Sequence, residues 1–290
     1  MPDPFGFLTV DKPAGMTSHT VVSQIRRGLK IKKVGHAGTL DPMATGVLII
    51  CLGNATRLSE YAMASTKRYI ARVRLGAVTD TYDAEGEIIA EADASHITQD
   101  DVLRVLPNFT GDLQQIPPMY SAIKKDGRKL YDLARAGESI ELEPRPVTIH
   151  SLTLNEWSAP EFVLDVVCSA GTYIRSLAYD IGQALGVGGH LTGLIRAASG
   201  SFKLEDAVQL DALLADADWG RFMLPPDTAV SHLPAVHLDD VDTEHVWNGR
   251  IPQHVPSLEG ELARAYNSAG EFFALLQIKD GLLHPHKVFK

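Results

Sequence analysis

The chain has 290 residues, 45% of them apolar and 22% charged, a composition that supplies a sizeable core and excludes a disordered or low-complexity protein. That length fits one large domain, or a large one with a small one attached. A formal charge of -9 argues on its face against a polyanionic partner.

The first residues, Met1-Pro2-Asp3-Pro4-Phe5, carry no basic and apolar leader, and no apolar run approaches the ~20 residues of a membrane span. A cytoplasmic protein with no membrane contact is expected. Thr17 and Ser18 can cap a helix that ends near Lys30, with Val21, Val22, Ile25 and Leu29 on one stripe and basic residues on the other. After a glycine-rich loop, residues 46–53 read as a short buried strand. Residues 67–76 alternate, with Tyr69, Ala71, Val73 and Leu75 on one face and Arg68, Ile70, Arg72 and Arg74 on the other. Tyr69 and the arginines therefore cannot address the same ligand group.

A short helix is expected at 101–106. The prolines near 117 and 146 bound a lysine-rich inserted loop at 116–146, with a short helix around 130–136. Residues 162–169 form a strand, Gly171 turns the chain, and Thr172 caps a helix that buries Ile174, Leu177, Ala178, Ile181 and Leu185. Pro225-Pro226 marks the expected boundary between residues 1–226 and a strand-rich tail at 227–290 that fits a small barrel or sandwich. Cys51 and Cys168 each sit in an apolar run and read as buried thiols; no spacing of cysteine or histidine suggests a metal site.

Asp41 lies in a loop between a helix and a central strand, where functional side chains are commonly presented. Pro42 biases it toward extended backbone and removes the next N–H donor, so another group must hold its carboxylate. Taken alone, an Asp-Pro pair among glycines is more often a turn than a catalytic group. Arg175, a cation in the first turn of a helix, opposes the helix dipole by ~0.3 to 1 kcal/mol. An anionic partner would offset this, and Asp41 is a candidate; that pairing would lower the aspartate pKa. Tyr69 and Tyr173 could each stack on a base or belong to the core.

The charges are segregated. Arg26, Arg27, Lys30, Lys32 and Lys33 form one basic cluster, Lys67, Arg68, Arg72 and Arg74 a second, and Lys124, Lys125, Arg128, Lys129 and Arg135 a third, whereas residues 80–101 hold eight acids and no lysine or arginine. Such segregation fits a positive face on an acidic protein as well as ordinary solvated charge.

Several stretches, in order from residue 8 to about 200, together resemble the TruB family of tRNA pseudouridine synthases. They include Val10-Asp11-Lys12-Pro13-Ala14-Gly15, Gly35-His36-Ala37-Gly38-Thr39-Leu40-Asp41-Pro42-Met43-Ala44-Thr45-Gly46, and Lys67-Arg68-Tyr69. Thr79-Asp80-Thr81-Tyr82-Asp83, Pro117-Pro118-Met119-Tyr120, Gly171-Thr172-Tyr173-Ile174-Arg175-Ser176-Leu177 and Leu194-Ile195-Arg196 continue the match. The resemblance implies an α+β pseudouridine synthase core with a mixed, largely antiparallel sheet flanked by helices, plus a small C-terminal β-barrel of PUA type that binds RNA. It implies isomerisation of uridine 55 in the T-loop of tRNA to pseudouridine, with no cofactor. Asp41 then corresponds to the catalytic aspartate, either attacking C1′ or removing the C2′ proton. Tyr69 resembles the tyrosine stacked on the target base, and Arg175 the arginine paired with the aspartate. Tyr173 and Leu194 line the pocket, and His36 supports the flipped-out nucleotides. Lys12, Lys67, Lys124, Lys125 and Arg128 are expected to touch RNA, and the 116–146 insertion resembles a thumb loop that orders on tRNA.

Three rival readings are a guide-RNA-dependent relative, a silent RNA-binding protein and a glycosidase. The last needs a second catalytic carboxylate, for which Asp83 is the motif-linked candidate. A monomer without a protein partner is expected, since nothing resembles a dimerisation helix.

Overall fold

The continuous apolar run 46–53 forms a strand because both of its faces are covered. The structure, a computed structural model, describes residues 4–120, 124–125, 128–129, 142–253 and 258–289. In chain order its first strands are β1 (Gly6–Lys12), β2 (Val34–Ala37), β3 (Thr45–Leu52), β4 (Lys67–Leu75), β5 (Ala77–Thr79), β6 (Ile88–Glu91) and β7 (Gly111–Gln115). There follow β8 (Lys124–Lys125), β9 (Arg128–Lys129), β10 (Arg145–Ser158), β11 (Glu161–Cys168), β12 (Gly189–Ser199), β13 (Phe202–Lys203) and β14 (Val208–Gln209). The chain closes with β15 (Ala235–His237), β16 (Leu262–Tyr266), β17 (Phe272–Lys279) and β18 (Leu282–Val288).

The main sheet runs β14-β1-β3-β12-β4-β11-β10-β7, with β2 on β3 and β13 on β12. Only β1 with β14 and β3 with β12 pair in parallel; the rest is antiparallel. The mixed, largely antiparallel sheet implied by the resemblance is therefore present. On β3, Leu48, Ile50 and Leu52 join a cluster with helix residues Val21, Val22, Ile25, Ile174, Leu177 and Ile181. The alternate residues Val47, Ile49 and Cys51 join a second cluster with Phe7, Leu58, Val230, Leu275 and Phe289. Each such side chain contributes roughly 1.5–3 kcal/mol when taken out of water. Cys51 and Cys168 are buried free thiols, and burial pushes Cys51 up to about 12.

This second cluster includes residues of the tail. β15 to β18 form a four-stranded sheet in sequence order, parallel only at β15–β16. It has a small core of its own around Val236, Val246, Phe273 and Leu276, yet Leu275 and Phe289 close the far face of the main sheet. Among the described residues the sheet is open, not a closed barrel.

Helix expectations hold with shifted ends. The first helix is Ser18–Gly28, and its cap is Thr17, which accepts from Thr20 N. Gln99–Val105 carries a full capping box from Thr98 and Asp101. Ile174–Ala184 starts after Tyr173, not Thr172, whose hydroxyl instead donates to Ser169 O at 3.0 Å. The short helix expected at 130–136 lies outside the described residues. No helix among the described residues is long and apolar enough to cross a membrane.

Candidate active site

Every carbonyl that brackets Asp41 has a partner from a distant element, which turns a glycine-rich loop into a fixed one. Leu40 donates its N–H to Ser18 Oγ at 2.9 Å and accepts from the same hydroxyl at 3.0 Å. Arg196, fully buried on β12, donates from its guanidinium to Gly38 O at 3.0 Å, Thr39 O at 3.4 Å and Val47 O at 2.7 Å. Pro42 O accepts from Lys12 Nζ at 3.1 Å and from Gly15 N at 2.8 Å. Gly46 (φ 93°) crosses β12 so closely that a Cβ there would lie 2.4 Å from Arg196 O, so only glycine fits.

The Asp41 carboxylate meets Arg175 Nε at 2.9 Å. The rest of that guanidinium is occupied as well. One terminal nitrogen donates to Thr81 O at 3.1 Å and faces Asp83 Oδ2 at 3.4 Å, and the other donates to Tyr120 O at 2.8 Å. Arg175 is thus the anchor that Pro42 withholds, and two carboxylates offset its unfavourable place in the first helical turn. The Asp41 side chain keeps 36% exposure, whereas those of Arg175 and Asp83 keep 6% and 4%. Asp41 is therefore the carboxylate of the three-group network that a ligand can reach.

The expected lowering of the Asp41 pKa does not occur. Loss of water around the carboxyl pushes its pKa up, Arg175 pulls against this, and Asp83 adds to the rise. The result is a carboxylate held in place but poorly solvated, suited to acting as base or nucleophile. Asp83 is no open second carboxylate, since Thr81 Oγ1 donates to its Oδ1 at 2.6 Å and Glu85 N at 3.0 Å.

Tyr69 projects from β4 onto the helix-covered face, 9% exposed, packed in the cluster that holds Leu40 and Leu194. Burial raises its phenol pKa, with the charges of Arg196 and Asp41 both acting on it, so it lies within electrostatic reach of the aspartate. Leu194 on β12 pairs with Ala71 of β4. Tyr173 is clamped at its backbone by Gln115, which accepts from Tyr173 N at 2.8 Å and donates to Tyr173 O at 2.9 Å. His36 on β2 has a buried Nδ1 with no hydrogen-bond partner, and burial followed by the Arg196 charge lowers its pKa. Asp41 and Arg175 thus meet from a loop and a helix, with Tyr69 on β4 within electrostatic reach and Leu194 on β12 in the same core cluster as Tyr69.

Two expected RNA contacts point inward instead. Lys12 is 0% exposed, donating to Pro13 O at 2.8 Å and Met16 O at 2.7 Å besides Pro42 O, and burial pushes it down to about 8. Lys67 donates to Met63 O at 2.5 Å and to Ser65 O, and is likewise pushed down to about 8. An ammonium so enclosed braces backbone and cannot reach a phosphate. The side chains of Lys124, Lys125 and Arg128 lie outside the described residues; their backbone forms the β8–β9 ribbon. Alternation along β4 placed Arg68, Arg72 and Arg74 outward, where Asp165 and Glu161 of β11 meet them.

Sequence reasoning missed Ser18 as the Leu40 anchor, and it missed Arg196 altogether, although Arg196 stands in a quoted motif. A buried arginine on a strand that crosses glycines is the signal that could have flagged it.

Comparison with known proteins identifies the family. The family model described as TruB family pseudouridylate synthase (N terminal domain) matches residues 26–174, and that described as tRNA pseudouridylate synthase B C-terminal domain matches 175–231. A protein named tRNA pseudouridine synthase B from Cupriavidus metallidurans is 44% identical, with 99% of this chain and 95% of the relative covered. Another of that name from Symbiobacterium thermophilum is 48% identical over 85% of this chain and 83% of its own length. Among solved structures, a Cbf5-Nop10-Gar1 complex aligns with a TM-score of 0.77 at 28% identity, covering 99% of this chain and 85% of that one. The chain belongs to the TruB family of pseudouridine synthases.

Proposed function

We propose that the protein isomerises uridine 55 in the T-loop of tRNA to pseudouridine, without a cofactor and without a protein partner, as a cytoplasmic monomer. The observation that carries this reading is Asp41, the one ligand-accessible carboxylate of its network, held by Arg175 within electrostatic reach of Tyr69. The relatives named tRNA pseudouridine synthase B support tRNA as substrate.

A target base stacked in its loop is out of reach, so it must flip out at a cost of a few kcal/mol. Tyr69 offers a ring face and Leu194 an apolar wall to offset that cost. His36 supports the displaced nucleotides through the part of its ring other than the buried Nδ1. The C1′–N1 bond then breaks, uracil turns, and C5 bonds to C1′; the C5 proton leaves and N1 gains one, so the reaction is balanced without redox chemistry. Asp41 acts on the sugar, at C1′ as nucleophile or at the C2′ proton as base. Residues 227–290 serve as a PUA-like RNA-binding unit, and 116–146 as the thumb that grips the T-arm through Lys124, Lys125 and Arg128.

The test is tritium release from bare tRNA transcript labelled at uracil C5, with carbodiimide–primer extension to map the product. Release from wild type, its absence in Asp41→Asn, and a single stop at position 55 support the proposal. Full release by Asp41→Asn, or a product elsewhere, would overturn it. A requirement for a guide RNA would favour the ribonucleoprotein type instead.

A further inference from the structure

The turn at residues 79–86 is gripped twice by one helix. Arg175 holds Thr81 O and faces Asp83 Oδ2. Four residues on, the Tyr179 ring stacks on Tyr82 with centroids 4.1 Å apart and planes at 16°. Positions i and i+4 share a helix face, so both grips belong to one surface of Ile174–Ala184. Tyr82 sits between the two groups that Arg175 engages, with a φ of 61°, a left-handed backbone that a bulky residue seldom adopts. The surrounding bonds keep it there. Tyr82 N donates to Thr79 O at 3.2 Å, Leu191 N to Tyr82 O at 3.0 Å, and Thr79 Oγ1 to Asp83 O at 2.7 Å. These bonds shape the turn and tie it to β12, whereas the ring stack fixes its position on the helix that carries Arg175.

We propose that the Tyr82–Tyr179 stack is a positioning device for the active site. It seats the left-handed turn on the helix so that Thr81 O and Asp83 hold the guanidinium with Nε directed at Asp41. Neither tyrosine acts on the substrate; both act through Arg175. The proposal rests on the pseudouridine synthase reading above. Without the stack, the turn shifts along the helix, Arg175 loses two of its acceptors, and Asp41 loses its fixed orientation.

The experiment compares Tyr179→Ala, Tyr179→Phe, Tyr82→Gly and the Tyr179→Ala/Tyr82→Gly double variant in single-turnover tritium release with excess enzyme, alongside tRNA affinity. Misplacement of this kind costs about 10- to 100-fold in rate, so Tyr179→Ala is expected to slow turnover by that factor with tRNA affinity unchanged. Tyr179→Phe keeps the ring and should restore the rate. Tyr82→Gly removes the other ring at a residue type suited to the backbone, and the double variant should be no slower than the slower single. A wild-type rate in Tyr179→Ala, a loss confined to tRNA affinity, or failure of phenylalanine to rescue would each overturn the proposal. Should wild type form no pseudouridine, the function falls and the device is read by hydrogen exchange. Faster exchange at the Asp83 and Glu85 amides in Tyr179→Ala supports it, and unchanged exchange refutes it.

Discussion

Arginine meets carboxylate both on the outer face of β4 and in the cleft, and the contrast between these two regions shows why the cleft is the candidate site. On the outer face of β4, Arg68, Arg72 and Arg74 keep 54%, 48% and 54% side-chain exposure while pairing with Asp165 and Glu161. Water and salt screen such pairs to ~0–1 kcal/mol each. In the cleft, Arg175 and Asp83 are almost wholly enclosed, and only Asp41 opens to solvent. Charges taken out of water are costly unless their partners stay in place. The cleft therefore holds a geometry that the outer face does not need.

The sharpest way to break that comparison is Asp41→Asn. It is expected to lower single-turnover pseudouridine formation by about a thousandfold or more. It should do so without loss of stability, because burial holds the folded carboxyl pKa above its ordinary 3.8. Between those two values the folded chain binds more protons than the unfolded one, so ionised Asp41 costs stability at neutral pH. Thermal melts at pH 7 should place the variant at or above wild type, with the gap narrowing as pH falls toward the ordinary aspartate value of 3.8 and constant below it. A clearly lower Tm at pH 7 contradicts this.

Arg175→Met comes next. It strands Asp83 and Asp41 together, and the loss should be about 3–5 kcal/mol by urea unfolding, accompanied by loss of tritium release. A variant as stable as wild type would mean that the cleft pair is no different from the surface ones.

Lys12→Met removes a buried donor to three carbonyls, an expected cost of ~1–3 kcal/mol. Its folded pKa of about 8 lies below the ordinary 10.5, so between these values the unfolded chain holds more protons and wild-type stability from this group rises with pH. The deficit of the variant should therefore widen between pH 7.5 and pH 9; a constant deficit would show that Lys12 does not titrate in the fold. Smallest of all, Arg68→Ala should cost under ~1 kcal/mol, fade in high salt and leave turnover intact. A salt-independent loss would make the outer face resemble the cleft.

Much of this arrangement was legible beforehand. Alternation along 67–75 put Tyr69 inward and the arginines outward, because side chains on a strand point to opposite faces. The awkward place of Arg175 in its helix pointed to an anion, and the motif resemblance named that anion as Asp41. Lys12 and Lys67 were misread because a lysine's sequence context does not reveal whether its ammonium meets water or a set of carbonyls. The packing of the tail on the main sheet was not legible, because Leu275 and Phe289 look like core residues of their own sheet.

Local order along the chain thus determined which elements form, which faces they bury and which residues are candidates for the chemistry. Tertiary structure alone decided the partners. Thr39 and Arg196 are 157 positions apart, Thr81 and Arg175 are 94 apart, and no local pattern records which distant carbonyl or carboxylate a buried cation will meet. The direction of the Asp41 pKa shift was decided there too, because it depends on how much water the folded cleft removes as well as on the charge placed beside it.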